Sequence, residues 1–408
     1  MSRFLFTMMF TNDLGLPNRS IPIALELLKK GHDVAFCNQE TAPAKLLSDF
    51  ELPNLAFRER GFPTVLPPFQ QPWNMDHFYC FYGCQDEDFL RNECEGMKDV
   101  IREYSPDIIV DTWGLTACIV ARAMGKPLVS ILQADMHPQG QDLIWWKDMP
   151  DNVPTCVPVV NRVLAEYGLA LINKTDEMHV GDLTLIAGIP DTDPLPKGTD
   201  VVYIGPILHQ KPDAKLPDNI ASLDPEKPVI WVYTATPRYF EPFITIGDSA
   251  IVMKACIEAL ADEDVQVVLS TGYRDLPSDS ISLPDNFIYE TYVPGLLMAE
   301  RANAIVHHGG HGASCTGPYT NTPAVIIPTF SERESNARRI TELGAAELII
   351  PREDEEMEKH VSVEEVRDKV RKVLSEPSYA ENARCIGDKM REYGGASEAA
   401  RLIEQFAH

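Results

Sequence analysis

A chain of 408 residues is too long for one ordinary core and suits two domains of roughly 200 residues each. Its composition, 44% hydrophobic and 24% charged, is that of a globular protein. The formal charge of −25 argues against nucleic acid or an anionic membrane as partner, since either needs a basic face.

A phosphate-bearing ligand would therefore have to be held locally, by backbone N–H groups and a few side chains. No stretch approaches the ~18 apolar residues of a spanning helix, so no membrane insertion is expected. The opening MSRFLFTMMF reads as a first strand rather than a signal peptide. The nine cysteines lack paired spacing, which suits reduced thiols and a cytoplasmic location. Cys80, Cys84 and Cys94 are the only cluster, and no matching His or second Cys pair follows to make a metal site.

Strands and helices alternate in chain order. Phe4–Phe10 is a predicted strand, 21–30 a helix, and Asp33–Cys37 a strand after Gly31. The pattern fails between Phe62 and Arg91, where aromatics, Pro and Cys suggest loops and short helices around an acceptor pocket. Asp107–Val110 is a strand, 115–124 a helix, and Pro127–Leu132 a strand. This βαβ rhythm implies a parallel, doubly wound α/β sheet. A Pro-rich linker spans 206–227, separating a domain at 1–205 from a second at 228–385. The rhythm restarts with strands at Val229–Tyr233, Val265–Ser270, Ala304–His307 and Ala324–Pro328 and helices at 251–260 and 335–343. The tail is helical, and 386–408 is expected to pack back toward the first domain.

The strongest chemical signal is Ala304-Ile-Val-His-His-Gly-Gly-His-Gly-Ala-Ser314. An apolar strand runs into histidines and glycines, then into a helix start. Glycines allow close backbone approach to a ligand, and a helix N-terminus offers free N–H groups and a positive dipole end. The spacing is not that of a Walker loop, and the first strand lacks the G-x-G-x-x-G of a nicotinamide site.

His307 to Ser314, followed by Thr322-Pro323, Pro328 and Asn336-Ala337, resembles the donor-binding signature of family 1 glycosyltransferases, nearest the bacterial branch acting on macrolides and other natural products. The flanks 227–236, Ser270-Thr271-Gly272 and Tyr292-Val293-Pro294 fit it too. The resemblance implies the GT-B fold: two facing Rossmann-like domains, with the donor in the cleft between them. It implies inverting transfer from a dTDP- or UDP-sugar to a small acceptor, with no cofactor or metal beyond that co-substrate; the aromatic-rich segment Phe69–Phe89 argues for an apolar or aromatic acceptor. A homodimer is the expected assembly, if any.

By position, the resemblance places His308, Gly309, Gly310, Gly312, Ala313 and Ser314 at the diphosphate, Thr236 on a second phosphate loop, and Val293 at the base. Glu332 and Arg333 stand where the family reads the sugar hydroxyls with Asp-Gln, so Arg333 either marks an altered or anionic sugar or points to solvent. Thr316 replaces a ribose-binding Glu, which leans toward dTDP. The family's general-base His falls at Leu16, while its supporting acid matches Asp111. Asp13 or Asp111 would then take the proton; alternatively the acceptor arrives ionised, or the site is inactive in transfer. On the first option Asp111, at a strand end beside Leu16, is expected to face ligand with a raised pKa. Leu16, Trp73, His77 and His137 are expected in the acceptor pocket. A sugar-nucleotide epimerase, or an inactive donor-binding partner of another transferase, is the alternative.

Overall fold

The computed structural model describes all residues but 13, 57–60, 69–71, 144–147, 212, 235–248, 273–274, 277–281, 355–358 and 408. The chain forms two compact units. One takes Met1–Leu143, Lys147–Leu208 and Tyr393–His408; the other includes His209–Glu392.

In the first unit, strands β1 (Arg3–Met8), β2 (Asp33–Cys37), β3 (Asn54–Leu55), β4 (Ile108–Thr112), β5 (Leu128–Leu132), β6 (Leu183–Ile186) and β7 (Val202–Tyr203) form one sheet in the order β3-β2-β1-β4-β5-β6-β7. Every pairing is parallel. Phe4, Leu5, Phe6, Ile109, Val110, Val129 and Ile131 are fully buried, as continuous apolar runs are in a sheet covered on both faces. Strand order reverses between β1 and β4. In open α/β sheets, ligands bind at the carboxyl ends of the strands at such a reversal.

Two helices of this unit differ from the sequence expectation. The first runs from Gly15 to Lys29, six residues earlier than the apolar periodicity suggested. Pro17 is tolerated in its first turn, where no N–H is needed. Glu87–Tyr104 is a long helix that begins inside the stretch expected to be irregular, 62–91, and runs past its end. Asp86 caps it by accepting from Phe89 N at 3.1 Å, and Phe89, Leu90, Cys94, Met97 and Ile101 form its buried face. The last helix, Gly395–Phe406, belongs to this unit: Lys30 Nζ and His32 Nε2 reach Glu404 at 2.7 and 3.1 Å.

The second unit repeats the design. Strands β8 (Val229–Tyr233), β9 (Gln266–Ser270), β10 (Phe287–Glu290), β11 (Ala304–His307), β12 (Ala324–Ile326) and β13 (Ala346–Leu348) pair in parallel in the order β10-β9-β8-β11-β12-β13. Ile230, Val232, Val267, Val306 and Val325 pack under helices Ser249–Leu260 and Val363–Ser375. The reversal lies between β8 and β11, so the residues after Tyr233 and His307 occupy the expected ligand edge. The helix Pro377–Arg391 stays in this unit, and the chain passes to the other at Tyr393 rather than at 386.

Candidate functional site

The segment after β11 is built by close backbone approaches. Gly309 holds φ +87°, and a Cβ there would meet the Arg333 carbonyl oxygen at 2.6 Å. Its N–H donates to His307 Nδ1 at 3.1 Å, and its carbonyl accepts from Asn336 Nδ2 at 3.0 Å. Asn336 also donates to Glu332 Oε1 at 2.8 Å. The helix Ser331–Glu342 is thereby locked against the loop. Gly310 then opens the helix His311–Tyr319, with no side chain capping its N-terminus.

His308 is buried over this start. A Cβ on Gly310 would sit 2.6 Å from its Nε2. Its Nδ1 lies 3.5 Å from the Tyr233 carbonyl oxygen, and its ring meets the Tyr233 ring edge-on at 5.5 Å. Burial pushes its pKa well below the ordinary histidine value, and the nearby Arg333 guanidinium pushes the same way. His307, buried in the strand, is lowered to about 3 by burial.

Two hydroxyls at this edge lack partners among the described residues. Ser314 Oγ, in the first turn of the helix, and Thr234 Oγ1, directly after β8, are buried with no hydrogen bond. Such groups are rare in folded proteins and call for a missing partner. At Gly312 an added Cβ would meet nothing within 4 Å, so the space above the first turn is open. The backbone N–H groups and dipole end of a helix start, two orphan hydroxyls and an imidazole suit an anion rich in acceptor oxygens.

The structure brings His308, Gly309, Gly310, Gly312, Ala313 and Ser314 together at one strand-to-helix turn, with Glu332 and Arg333 beside it. Arg333 is buried rather than pointing to solvent. Its Nη1 donates to Thr329 Oγ1 at 3.0 Å, and its guanidinium lies 4.5 Å over the Phe330 ring. Thr316 Oγ1 donates back to Gly312 O at 2.8 Å, a bond within its own helix. Val293 is buried just before the helix Gly295–Arg301. Thr236 and Asp13 lie outside the described residues. Sequence reasoning missed Thr234, whose only signal was a hydroxyl ending an apolar strand.

Around β4 the sequence expectation needs correction. Asp111 lies at the carboxyl end of β4, but it is fully buried rather than open to a ligand. Thr7 Oγ1 donates to its Oδ1 at 2.6 Å, while Gly114 N and Cys118 Sγ donate to Oδ2 at 2.9 and 3.3 Å. Burial pushes its pKa up to about 7. With both oxygens engaged inside the fold, it braces the turn after β4 and is badly placed to receive an acceptor's proton. Beyond it, Cys118 Sγ lies 3.7 Å from His179 Nδ1, and His179 Nε2 lies 2.6 Å from the Tyr79 hydroxyl, which reaches Trp113 O at 2.9 Å. Ligand atoms of Asp111, Cys118 and His179 fall within 4.8 Å of one another, close enough to share an ion. Their hydrogen bonds already satisfy them, and the cluster serves as a polar network in the core. Burial lowers His179 to about 3.

The enclosed Asp111 makes stability depend on pH. Its pKa is about 7 in the fold, against about 3.9 unfolded. Its contribution is full below about pH 4 and is lost as the pH rises through about 7. Asp111→Asn removes this titration. In urea unfolding, the wild type should lose up to about 1.4 kcal/mol per pH unit relative to the variant across that window. Parallel pH profiles would show that Asp111 is not enclosed in this way.

Of the acceptor-side residues, Trp73 and His77 pack edge-on at 5.7 Å. His77 sits in the helix Met75–Phe81, and burial lowers its pKa. Leu16 is buried in the first helix, not in a loop. His137 is buried too; its Nδ1 accepts from Gln139 N at 3.1 Å, and burial lowers its pKa.

Comparison with known proteins places the chain. Residues 254–405 match the family model of the erythromycin biosynthesis protein CIII-like C-terminal domain. A PGL/p-HBAD biosynthesis glycosyltransferase of Mycobacterium tuberculosis is 24% identical over 327 residues, 73% of this chain and 70% of that one. The spinosyn forosaminyltransferase SpnP superposes with a TM-score of 0.71 at 20% identity, over 100% of this chain and 99% of that one. The fold is that of the GT-B glycosyltransferases it superposes on, and residues 254–405 carry the family match. An uncharacterized UDP-glucosyltransferase, YojK of Bacillus subtilis, is 34% identical over 148 residues, 36% of this chain. The match spans only about a third of that relative's length, 35%. Among the described residues, no helix is long and apolar enough to cross a membrane.

Proposed function

We propose that the chain transfers a sugar from a dTDP- or UDP-linked donor to a small aromatic natural-product acceptor, with inversion and without a metal ion. The observation that carries this reading is the pair of orphan hydroxyls, Thr234 and Ser314, beside the open helix start at Gly312 and the buried His308. The diphosphate lies over the first turn of the helix His311–Tyr319, taking its N–H groups, the Ser314 hydroxyl and His308 Nε2. Glu332 and Arg333 lie at the sugar end. As the anomeric carbon leaves the β-phosphate oxygen, negative charge grows where these donors point. Preorganised donors and positioning supply most of the rate enhancement. With Leu16 apolar and Asp111 enclosed, the acceptor proton falls to Asp13, or to no residue if the acceptor arrives ionised. All nine cysteines are free thiols, which supports a reducing, cytoplasmic compartment.

Thr316 spends its hydroxyl on Gly312 O and carries no carboxylate for a pair of ribose hydroxyls. In calorimetric titrations dTDP is therefore expected to bind at least as tightly as UDP. A preference for UDP of about tenfold, ~1.4 kcal/mol, would overturn that reading of the ribose site.

A further inference from the structure

Trp113 follows β4 directly, at the point where strand order reverses in the first unit. Thr112 before it is still paired opposite Met8 of β1, and Met9 N donates to Thr112 O at 3.2 Å. The chain then turns sharply. Trp113 takes φ +64°, an outlier for a bulky residue. Strain of this kind collects at binding sites. The Trp113 carbonyl accepts from the Tyr79 hydroxyl at 2.9 Å. Its ring meets Phe78 edge-on at 6.3 Å, and the Arg19 guanidinium lies 6.0 Å from the ring centre. Trp113 is only 6% exposed, yet its indole Nε1 makes no hydrogen bond among the described residues. A buried tryptophan N–H usually finds an acceptor, and one left without a partner is costly. The carboxyl ends of the strands at a reversal are where an open α/β sheet takes its ligand, so the missing partner falls at the place a ligand would occupy.

We propose that Trp113 selects the sugar acceptor, its indole N–H donating to a carbonyl oxygen carried on the acceptor's aromatic ring. This rests on the transferase reading above and names a functional group of the acceptor that it left open. An indole N–H is a donor only, so its partner must bring a lone pair. A carbonyl does so and brings no hydrogen of its own; a hydroxyl would bring one that needs a further acceptor. The bond anchors one end of the acceptor, and packing of its ring against the Trp113 indole fixes the other direction. Trp113 moves no proton in this role. It holds the acceptor in one orientation, which is the contribution that transfer between two bound substrates needs most.

The test uses the full chain and two probes of matched shape, 2-acetylnaphthalene and 2-isopropenylnaphthalene, which exchange C=O for C=CH₂. Equilibrium dialysis reads their binding to wild type, to Trp113→Phe, and to a chain carrying the benzothiophene isostere of tryptophan at position 113, which keeps the shape and lacks the N–H. Affinity for dTDP and UDP is measured on the same samples. Wild type should bind the ketone about tenfold more tightly than the alkene, although the alkene is the more apolar and an apolar pocket alone would favour it. Both variants should lose that preference while keeping their affinity for the alkene and for nucleotide; if Trp113→Phe fails to fold, the isostere decides. Equal binding of the probes by wild type, tighter binding of the alkene, or binding of neither would overturn the proposal. So would a ketone preference that survives in the isostere, which would assign it to another donor, or an equal loss of both probes in the variants, because a merely structural tryptophan does not distinguish them. If nucleotide binds and the ketone is not preferred, only this inference fails. If the ketone is preferred and no nucleotide binds, the donor reading fails and the Trp113 site stands.

Discussion

His308→Ala is expected to weaken nucleoside diphosphate binding by about 10- to 150-fold, the equivalent of ~1.5–3 kcal/mol for a hydrogen bond to a charged group. The free site holds His308 neutral, because burial and the Arg333 guanidinium both disfavour its charge. A bound diphosphate reverses that balance. The imidazolium can then donate from Nδ1 to the Tyr233 carbonyl, 3.5 Å away, and from Nε2 to a phosphate oxygen. Binding should therefore take up a proton at His308. The ratio of wild-type to variant affinity should rise as the pH falls through the bound-state pKa, because the protonated site binds better. Calorimetry at several pH values reads both effects. Unchanged affinity in the variant would remove His308 from the site; a pH-independent ratio would mean that the neutral ring makes the contact.

Gly312→Ala separates fold from binding. The added methyl meets nothing within 4 Å, so no clash weakens the protein. Alanine in place of glycine in a helix is worth up to about 1 kcal/mol, so the melting temperature should hold or rise. The same methyl would stand above the first turn, where the diphosphate is proposed to approach the N–H groups. Diphosphate affinity should fall by about tenfold or more, the cost of losing roughly one such contact. A variant that is as stable and binds as well would show that the phosphates lie elsewhere.

Both of these sites were legible in the sequence because their signals are local. A strand of Ala304–His307 followed by three glycines within five residues fixes a turn whatever the rest of the chain does. The Glu87–Tyr104 helix was missed although its signals are local too: an Asp cap, acidic residues in the first turn and apolar residues three and four apart. They were masked by the aromatic and Pro-rich stretch before them. The start at Gly15 was hidden because Pro17 resembles a helix breaker, although in a first turn it removes only an unneeded N–H.

Asp111 shows what sequence cannot give. Its place at the end of β4 was readable, but its direction depends on Thr7, which β1 brings opposite it from more than a hundred residues away. Thr234 shares that difficulty. An orphan hydroxyl is a property of packing, not of spacing.

The central claim is a metal-free diphosphate site at the helix His311–Tyr319. The most direct test is calorimetric titration of the purified chain with dTDP and dTMP in EDTA, repeated in Mg²⁺. The account predicts that dTDP binds at least about tenfold more tightly than dTMP, equally in EDTA and in Mg²⁺. Equal affinity for the two nucleotides, or binding of dTDP only when Mg²⁺ is present, would contradict it.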